Sequence, residues 1–404
     1  MRSRPVYKLL MADPHPLPSS APEALQTIQT AAALAKVMNV HLIVSRGEDE
    51  NPESYYRLDI PDDLHIHDIP NFKKEHGLVR PSWNLPFFII TLFNAATLRK
   101  KERINALLIR NLKLAAFLLR CRRMVKLPPV IFEIHEIFSF SFGDELRIKD
   151  KKPGSKALRL AEKEKYVYEN ADGIICTTNH VADEIRKRFS ISCPILVAPN
   201  GVDSSVLDQC MDKEPEAENN TEGGRLILYL GSLHHWKGID VLIEALQYIP
   251  CASLEIVGGD SERINVYREY AAKLGLENRI HFEGYVKPAR RFSFMARADI
   301  CVLPLKPLSV ALFASPIKLF EYMASGTPVV ASDLPSTREI IKDGISGILV
   351  PPDDPKALAE AINRLINDKE LGRRLAARAK SDVREFTWEN RGEKIAGFLR
   401  SNWS

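Results

Sequence analysis

Apolar positions along this chain keep two rhythms. Short, nearly continuous apolar runs at 6–12, 41–45, 130–134, 226–230 and 327–331, with the segments SLEIVGG, RIHFEG and ADICVLPL, read as buried strands. Between them, apolar residues recur three and four positions apart, as at Leu319, Phe320 and Met323 and in the helices expected through about Met38, over 262–274, over 288–296, after Pro355 and from Trp388 to Leu399. Strands that alternate with helices in this way build parallel sheets through right-handed crossovers. A chain of 404 residues exceeds one ordinary core, so the pattern predicts two doubly wound domains. The expected boundaries are a first domain over 1–208, an acidic linker or loop over 209–224, and a second domain over 225–385. A last helix at about 386–404 is expected to return to the first domain.

Composition refines this only in places. The formal charge of +4 is too mild to argue for nucleic acid, and the six cysteines at 121, 176, 193, 210, 251 and 301 show no close pairing. That usage fits thiols in a reducing cytoplasm and neither disulfides nor zinc. The N-terminus lacks a signal peptide's apolar core, because Pro5 and Lys8 interrupt it and Asp13 follows. The loop DPHPLPSSAPEA after the first strand has none of the glycines that admit a pyrophosphate, so it is expected to shape an acceptor site. His65 and His67, two apart in LHIHDI, put both imidazoles on one side of a strand, which reads as a solvated face in preference to a metal pair.

The sharpest contrast lies at 81–126. PSWNLPFFIITLFNAATL runs eighteen residues without a charge, interrupted by Pro86, and reads as an interfacial segment with Trp83, Phe87 and Phe88 as apolar anchors. Ten basic residues and one acid then follow over 99–126. At 100° per residue, Ile104, Leu107, Leu108, Leu112, Ala115, Leu118 and Leu119 share one helical face. Arg103, Arg110, Lys113 and Arg120, with Phe117 among them, share the opposite one. This predicts a surface that docks on anionic lipid.

The stretch SPIKLFEYMASGTPVVASDLPSTREII, 315–341, carries the most chemistry. Ser315 is a plausible N-cap with Pro316 at the first helical position, and Gly326 ends the helix. The strand that follows delivers its loop at the carboxyl edge, where open sheets bind ligands. Lys318 and Glu321 are charges on an otherwise apolar helix, and such charges must be paired or face a ligand. This stretch resembles family 4 of the glycosyltransferases, retaining enzymes of the GT-B fold. In that fold two Rossmann-like doubly wound parallel-sheet domains face a central cleft.

The resemblance implies that Glu321 holds the donor ribose hydroxyls, while the family's other glutamate, eight positions earlier, is replaced by Phe313. In the turn GSLHHWKG after the first strand of the second domain, Gly231 belongs to the donor loop and Lys237 matches the family's lysine. Ser232 replaces its arginine, a charge that Lys318 is expected to supply. Gly258 and Gly259 end a strand and allow close approach to a nucleotide, and Gly284, Tyr285 and Val286 resemble the segment that meets the base. Ser315, Pro316 and Glu339 complete the expected donor set. His135, which follows the strand at 130–134, resembles the family's histidine near the transferred sugar, with Glu136 expected to orient it. Asn200, Gly201 and Asp203 match the PNGVD turn at the domain exit.

The sequence thus points to a retaining glycosyltransferase that uses a UDP- or GDP-sugar as co-substrate, with no tightly bound cofactor. No DxD occurs, so no metal is expected. Its expected partners are a lipid-linked or glycan acceptor and an anionic membrane surface, on the inner face of the cell membrane, with no nucleic acid. A GT-B nucleotide-sugar epimerase and a non-catalytic sugar-binding relative are the alternatives. The missing arginine and first glutamate favour the second of these.

Overall fold

The computed structural model describes residues 7–70, 84–148, 152, 154–204, 207 and 224–403. Trp83 and the acidic stretch 212–222 lie outside them.

The chain divides into two compact units, Met1–Pro199 with Trp388–Ser404, and Asn200–Thr387. The first unit is built on a seven-stranded sheet of β1 (Lys8–Leu17), β2 (Asn39–Arg46), β3 (Leu64–Ile69), β4 (Ala106–Ile109), β5 (Val130–Ile134), β6 (Gly173–Cys176) and β7 (Ile195–Val197). Their order is β3-β2-β1-β4-β5-β6-β7, and every pairing is parallel. This is the doubly wound arrangement, whose order reverses between β1 and β4. Strand β1 runs beyond the expected 6–12. Its register with β2 shifts between Asp13 and Pro16 and then resumes, so the Pro-rich segment continues as a strand.

Helix Pro22–Ala35 has Pro22 at its start and buries eleven side chains from Ala24 to Ala35, which makes it a covered crossover helix. What covers it is the C-terminal helix Trp388–Asn402. A Cβ added to Gly392 would stand 2.9 Å from the backbone carbon of Ala33, so only glycine lets the two helices approach this closely.

The stretch 99–126 is not one amphipathic helix. Helix Leu85–Lys101 ends at Glu102, Arg103 takes a left-handed backbone, and Ala106–Ile109 is the central strand β4, buried at all four positions. A second helix, Leu112–Cys121, starts where Asn111 Oδ1 accepts the N–H groups of Lys113 and Leu114. A fully buried parallel strand is apolar on both faces, and its residues fit a helical stripe equally well.

The second unit holds β8 (Arg225–Leu230), β9 (Ala252–Val257), β10 (Ile280–Gly284), β11 (Ile300–Leu303), β12 (Val329–Ser332) and β13 (Ile348–Val350) in the order β10-β9-β8-β11-β12-β13, again all parallel. Ile227 and Tyr229 face one core, and Leu228 and Leu230 face the other. Both faces are therefore covered, and the order reverses between β8 and β11.

The divisions fall at 199/200 and 387/388, not at 208 and 385. Asn200 donates its backbone N–H to Ser315 Oγ at 3.0 Å and its Nδ2 to the Ser315 carbonyl at 2.7 Å. Val202 bridges to Thr387, and Val202 and Leu207 are buried in the second unit's core. Asn200 of the PNGVD turn thereby anchors the start of the 315–341 stretch.

Candidate functional site

In the second unit, charged side chains gather at the carboxyl ends of strands beside the switch between β8 and β11. The turn after β8 closes as a short 3-10 helix, His235–Lys237, and Gly238 follows with φ 69°. A side chain at Gly238 would collide with the Pro304 carbonyl oxygen, so glycine is what lets this turn lie against the loop after β11. Lys306 from that loop donates its N–H to the Trp236 carbonyl at 2.9 Å, and its ammonium lies 2.6 Å from Asp240. Lys237 is thus held from both sides. Its Nζ lies 3.6 Å from the centre of the Trp236 ring, and no carboxylate pairs with it among the described residues. Burial, then the charge of Lys318, pulls its pKa down to about 7.

Helix Ile317–Ser325 carries the other charges. Leu319, Phe320, Tyr322, Met323 and Ala324 are buried, and Gly326 ends the helix in a left-handed backbone, as expected. The Tyr322 hydroxyl accepts the N–H of Leu230 at 2.8 Å, which stitches the helix to the end of β8. Ser315 does not cap this helix, because its hydroxyl is taken by Asn200 and Pro316 occupies the cap position. Lys318 Nζ lies 3.0 Å from Glu321 Oε2, and an arginine from outside the motif, Arg291, lies 3.1 Å from Glu321 Oε1. Burial would raise the pKa of Glu321, but Arg291 and Lys318 hold it below the usual range. Burial and Arg291 pull Lys318 down to about 8, against the opposing pull of Glu321. Two cations therefore share the Glu321 carboxylate, and Lys237, close enough to Lys318 to feel its charge, has none. Arg291 offers the partly buried guanidinium that the sequence lacks at Ser232, and Lys318, expected there, is tied to Glu321.

The remaining donor candidates have structural employment. Gly231 donates its N–H to Val257 and Gly258 donates to Gly284, which draws the ends of β8, β9 and β10 together. A side chain on Gly258 would strike the Gly231 carbonyl oxygen, and one on Gly259 would come within 2.5 Å of Leu233. The close approach these glycines allow is to their own fold. The Ser232 carbonyl accepts the Tyr229 hydroxyl at 2.8 Å. Tyr285 is exposed beyond β10, and Val286 packs against the core around the Ile317–Ser325 helix. Glu339 stands at the C-cap of the single turn Pro335–Arg338, where the helix dipole disfavours a carboxylate.

In the first unit a second charged set lies at the ends of β1, β4 and β5. Asp13 is buried. Its Oδ2 accepts from Thr27 Oγ1 at 2.6 Å, its Oδ1 lies 2.6 Å from His15 Nδ1, and Arg110 Nε stands 3.7 Å away. Burial would raise its pKa, but the His15 hydrogen bond and Arg110 override it and hold the pKa near about 2. Arg110 also donates to Gln26 and, at 2.7 Å, to Thr27. This turns Arg110 inward and removes it from the predicted basic surface. His135 Nε2 lies 2.9 Å from Arg110 and 2.7 Å from Glu133 Oε1. Glu133, from within β5, takes the place expected for Glu136. Burial and Arg110 lower the His135 pKa, which favours the neutral ring. The same Glu133 oxygen also accepts from Arg391 of the C-terminal helix, at 2.6 Å.

The predicted membrane residues separate. Phe87 and Phe88 are buried, and Phe117 is half-buried against the Phe88 ring. Arg103, Lys113 and Arg120 are exposed, with Arg120 over the Tyr166 ring. The exposed apolar side chains are instead Leu85 at 46%, Ile89 at 52% and Phe93 at 72%, spaced four apart along one face of the same helix. His67 stacks on a third imidazole, the buried His41, and His65 lies tilted against it.

Two parallel-sheet Rossmann-like units in one chain define the GT-B class, and solved structures of that class superpose on nearly the whole chain. Sucrose-phosphate synthase from Thermosynechococcus elongatus matches with a TM-score of 0.77 at 19% identity, over 98% of both chains. HepE of Anabaena, solved with UDP and glucose, matches at 0.70 and 18%, over 98% of this chain and all of that one. Residues 25–206 match the family model described as Glycosyltransferase Family 4, and residues 211–382 match Glycosyl transferases group 1. The chain belongs to the family 4 glycosyltransferases. It is 36% identical over 196 residues to the phosphatidyl-myo-inositol mannosyltransferase of Mycobacterium leprae, 47% of this chain and 49% of that one. It is 29% identical over 238 residues to the D-inositol 3-phosphate glycosyltransferase of Xylanimonas cellulosilytica, 56% of each. The chain thus spans about half the length of these curated relatives.

Proposed function

We propose that this protein moves a hexose, with retention, from a UDP- or GDP-sugar to a lipid-linked or glycan acceptor at a membrane surface. The observation that carries the donor half is the excess of partly buried cations. Lys318 and Arg291 share the single carboxylate of Glu321 and Lys237 has none, and burial with the neighbouring cations depresses the pKa values of both lysines. A diphosphate supplies the missing anion. In this reading Lys237, Lys318 and Arg291 stabilise the charge that grows on the leaving diphosphate, and Glu321 accepts from the ribose hydroxyls. In the first unit the neutral His135 hydrogen-bonds the transferred sugar, and Asp13, His15 and Arg110 order the acceptor loop. The bond from the anomeric carbon to the diphosphate breaks, and the acceptor oxygen bonds to that carbon on the same face. The acceptor's proton leaves with the diphosphate. The curated relatives, a D-inositol 3-phosphate glycosyltransferase and a phosphatidyl-myo-inositol mannosyltransferase, support a phosphorylated polyol or lipid acceptor.

A thermal-shift panel of nucleotides tests the donor half. UDP or GDP at one hundred times its Kd should stabilise the fold by about 2.7 kcal/mol, and adenosine without phosphates should give no shift. If no nucleoside diphosphate or its sugar shifts the transition, the cation cluster serves something else.

No helix among the described residues is long and apolar enough to cross a membrane, so attachment in this reading is peripheral. The exposed stripe Leu85, Ile89 and Phe93 enters the interface, and Arg99, Lys100, Lys101 and Arg103 beside it meet anionic headgroups at about 1 kcal/mol each. The double variant Ile89→Asp with Phe93→Asp should abolish co-sedimentation with phosphatidylserine-rich vesicles while leaving the UDP or GDP thermal shift intact. Wild-type protein that stays in the supernatant, or a variant that still pellets, would return this helix to ordinary surface.

A further inference from the structure

The second unit carries a polar cluster that the donor site does not use. In the parallel pairing of β9 and β10, His281 stands in register with Glu255. Glu283 lies two residues beyond His281, where the register shifts between Phe282 and Gly284, and its Oε2 comes 3.2 Å from His281 Nε2. One carboxylate oxygen from each glutamate and one ring nitrogen of His281 lie within 4.8 Å of one another. Neighbouring strands thus deliver all three side chains to one place.

Glu255 is the unusual member. It is only 5% exposed, Arg297 takes its Oε1, and its Oε2 is shielded from solvent with no hydrogen-bond partner. A buried carboxylate oxygen without a donor is costly, and a cation beside it removes that cost. Glu255 and His281 also line a cavity of about 680 Å³, with Leu226, Arg279 and Asp299 among its walls. These residues come from the starts of β8 and β10 and the approach to β11, away from the carboxyl edge where Lys237 and Glu321 stand.

We propose that Glu255, His281 and Glu283 bind a divalent transition-metal ion of the Zn²⁺ class. An imidazole with two carboxylates suits such an ion, whereas Mg²⁺ and Ca²⁺ prefer an all-oxygen shell. Three protein ligands leave the fourth tetrahedral position for water. Ligand atoms at roughly 2.0–2.2 Å from one tetrahedral zinc stand about 3.3–3.6 Å apart. The exposed side chains of His281 and Glu283 close the difference by rotation. Two carboxylates against the single Arg297 leave the site negative, which favours a dication.

The test is titration of the untagged protein with Co²⁺, followed by its visible absorption and by displacement with Zn²⁺. Wild type should take up about one ion per chain at this site with a tetrahedral spectrum that Zn²⁺ abolishes. His281→Ala and Glu283→Gln alter exposed positions and should each weaken binding at least about tenfold without changing the metal-free unfolding temperature. His65→Ala, in the separate imidazole cluster with His41 and His67, should leave the spectrum unchanged. Absence of a tetrahedral spectrum, equal affinity in His281→Ala, or loss of the signal in His65→Ala would each overturn the assignment.

Discussion

Replacing Lys237 by methionine is expected to lower turnover by about 10²–10³-fold, the range seen when one preorganised donor to a developing charge is removed. Affinity for the nucleoside alone should change little, because in the proposed reaction the lysine acts on charge that appears as the diphosphate leaves. The pH dependence adds an independent signature. In the unliganded protein, burial and Lys318 hold Lys237 near about 7, and burial and Arg291 hold Lys318 near about 8. A bound diphosphate restores both charges, so binding takes up protons. Nucleoside diphosphate affinity should be greatest below pH 7 and fall as pH rises above it, with each proton taken up contributing up to about tenfold per pH unit. The sign for stability is opposite. Between about pH 7 and the ordinary lysine pKa the unfolded chain holds a proton that the fold does not, so the unliganded fold gains stability as pH rises through that window. Calorimetry across pH 6–9 reads the slope. A flat profile, or a Lys237→Met enzyme with wild-type turnover, would remove the lysine from the diphosphate site. Arg291→Met should also depress turnover, which separates it from a purely structural partner of Glu321.

The parts of this site that the sequence exposed, and those it hid, differ in how far their causes reach along the chain. The 315–341 stretch was legible because every determinant is local: the helical spacing of Leu319, Phe320 and Met323, the glycine at 326, and two charges where none should sit. Arg291 was invisible because it matters through Glu321, thirty residues on, and nothing in RFSFMAR distinguishes one arginine from the other. Arg110 was misassigned for a different reason. Its neighbours Ala106–Ile109 form a buried central strand whose apolar run also fits a helix, and on that false helix Arg110 pointed to solvent. Glu133 did leave a signal. A carboxylate inside the apolar strand VIFEI had to be paired, and the sequence could not say that its partner stood 258 residues away on the last helix.

That last helix should prove essential to the first unit, and Arg391 is where its removal is felt most. Arg391 is 3% exposed, donates to Glu133 Oε1 at 2.6 Å and to Thr30 Oγ1 at 3.1 Å, and faces a carboxylate that also has His135 and Arg110 nearby. Burial would raise the pKa of Glu133, yet Arg391 and His135 hold it well below the usual range, so the carboxylate is charged in the fold. Arg391→Met keeps the apolar stem and deletes the charge. It leaves Glu133 buried without its main partner, a change that typically costs about 3–5 kcal/mol. Glu133 would then take its proton or draw His135 toward the charged form, and the sugar contact assigned to the neutral ring would be lost with it. Turnover should fall while nucleotide binding, which the proposed reaction assigns to the second unit, is kept. The double variant Arg391→Met with Glu133→Gln separates charge from packing. Neutralising the stranded carboxylate should restore much of the lost stability, because what costs most in the single variant is the unpaired charge. Denaturant unfolding of both variants reads this directly. A single variant that loses less than about 1 kcal/mol, or a double variant no more stable than the single, would show that the C-terminal helix is held by its apolar face alone and that Arg391 is not what fixes Glu133 beneath His135.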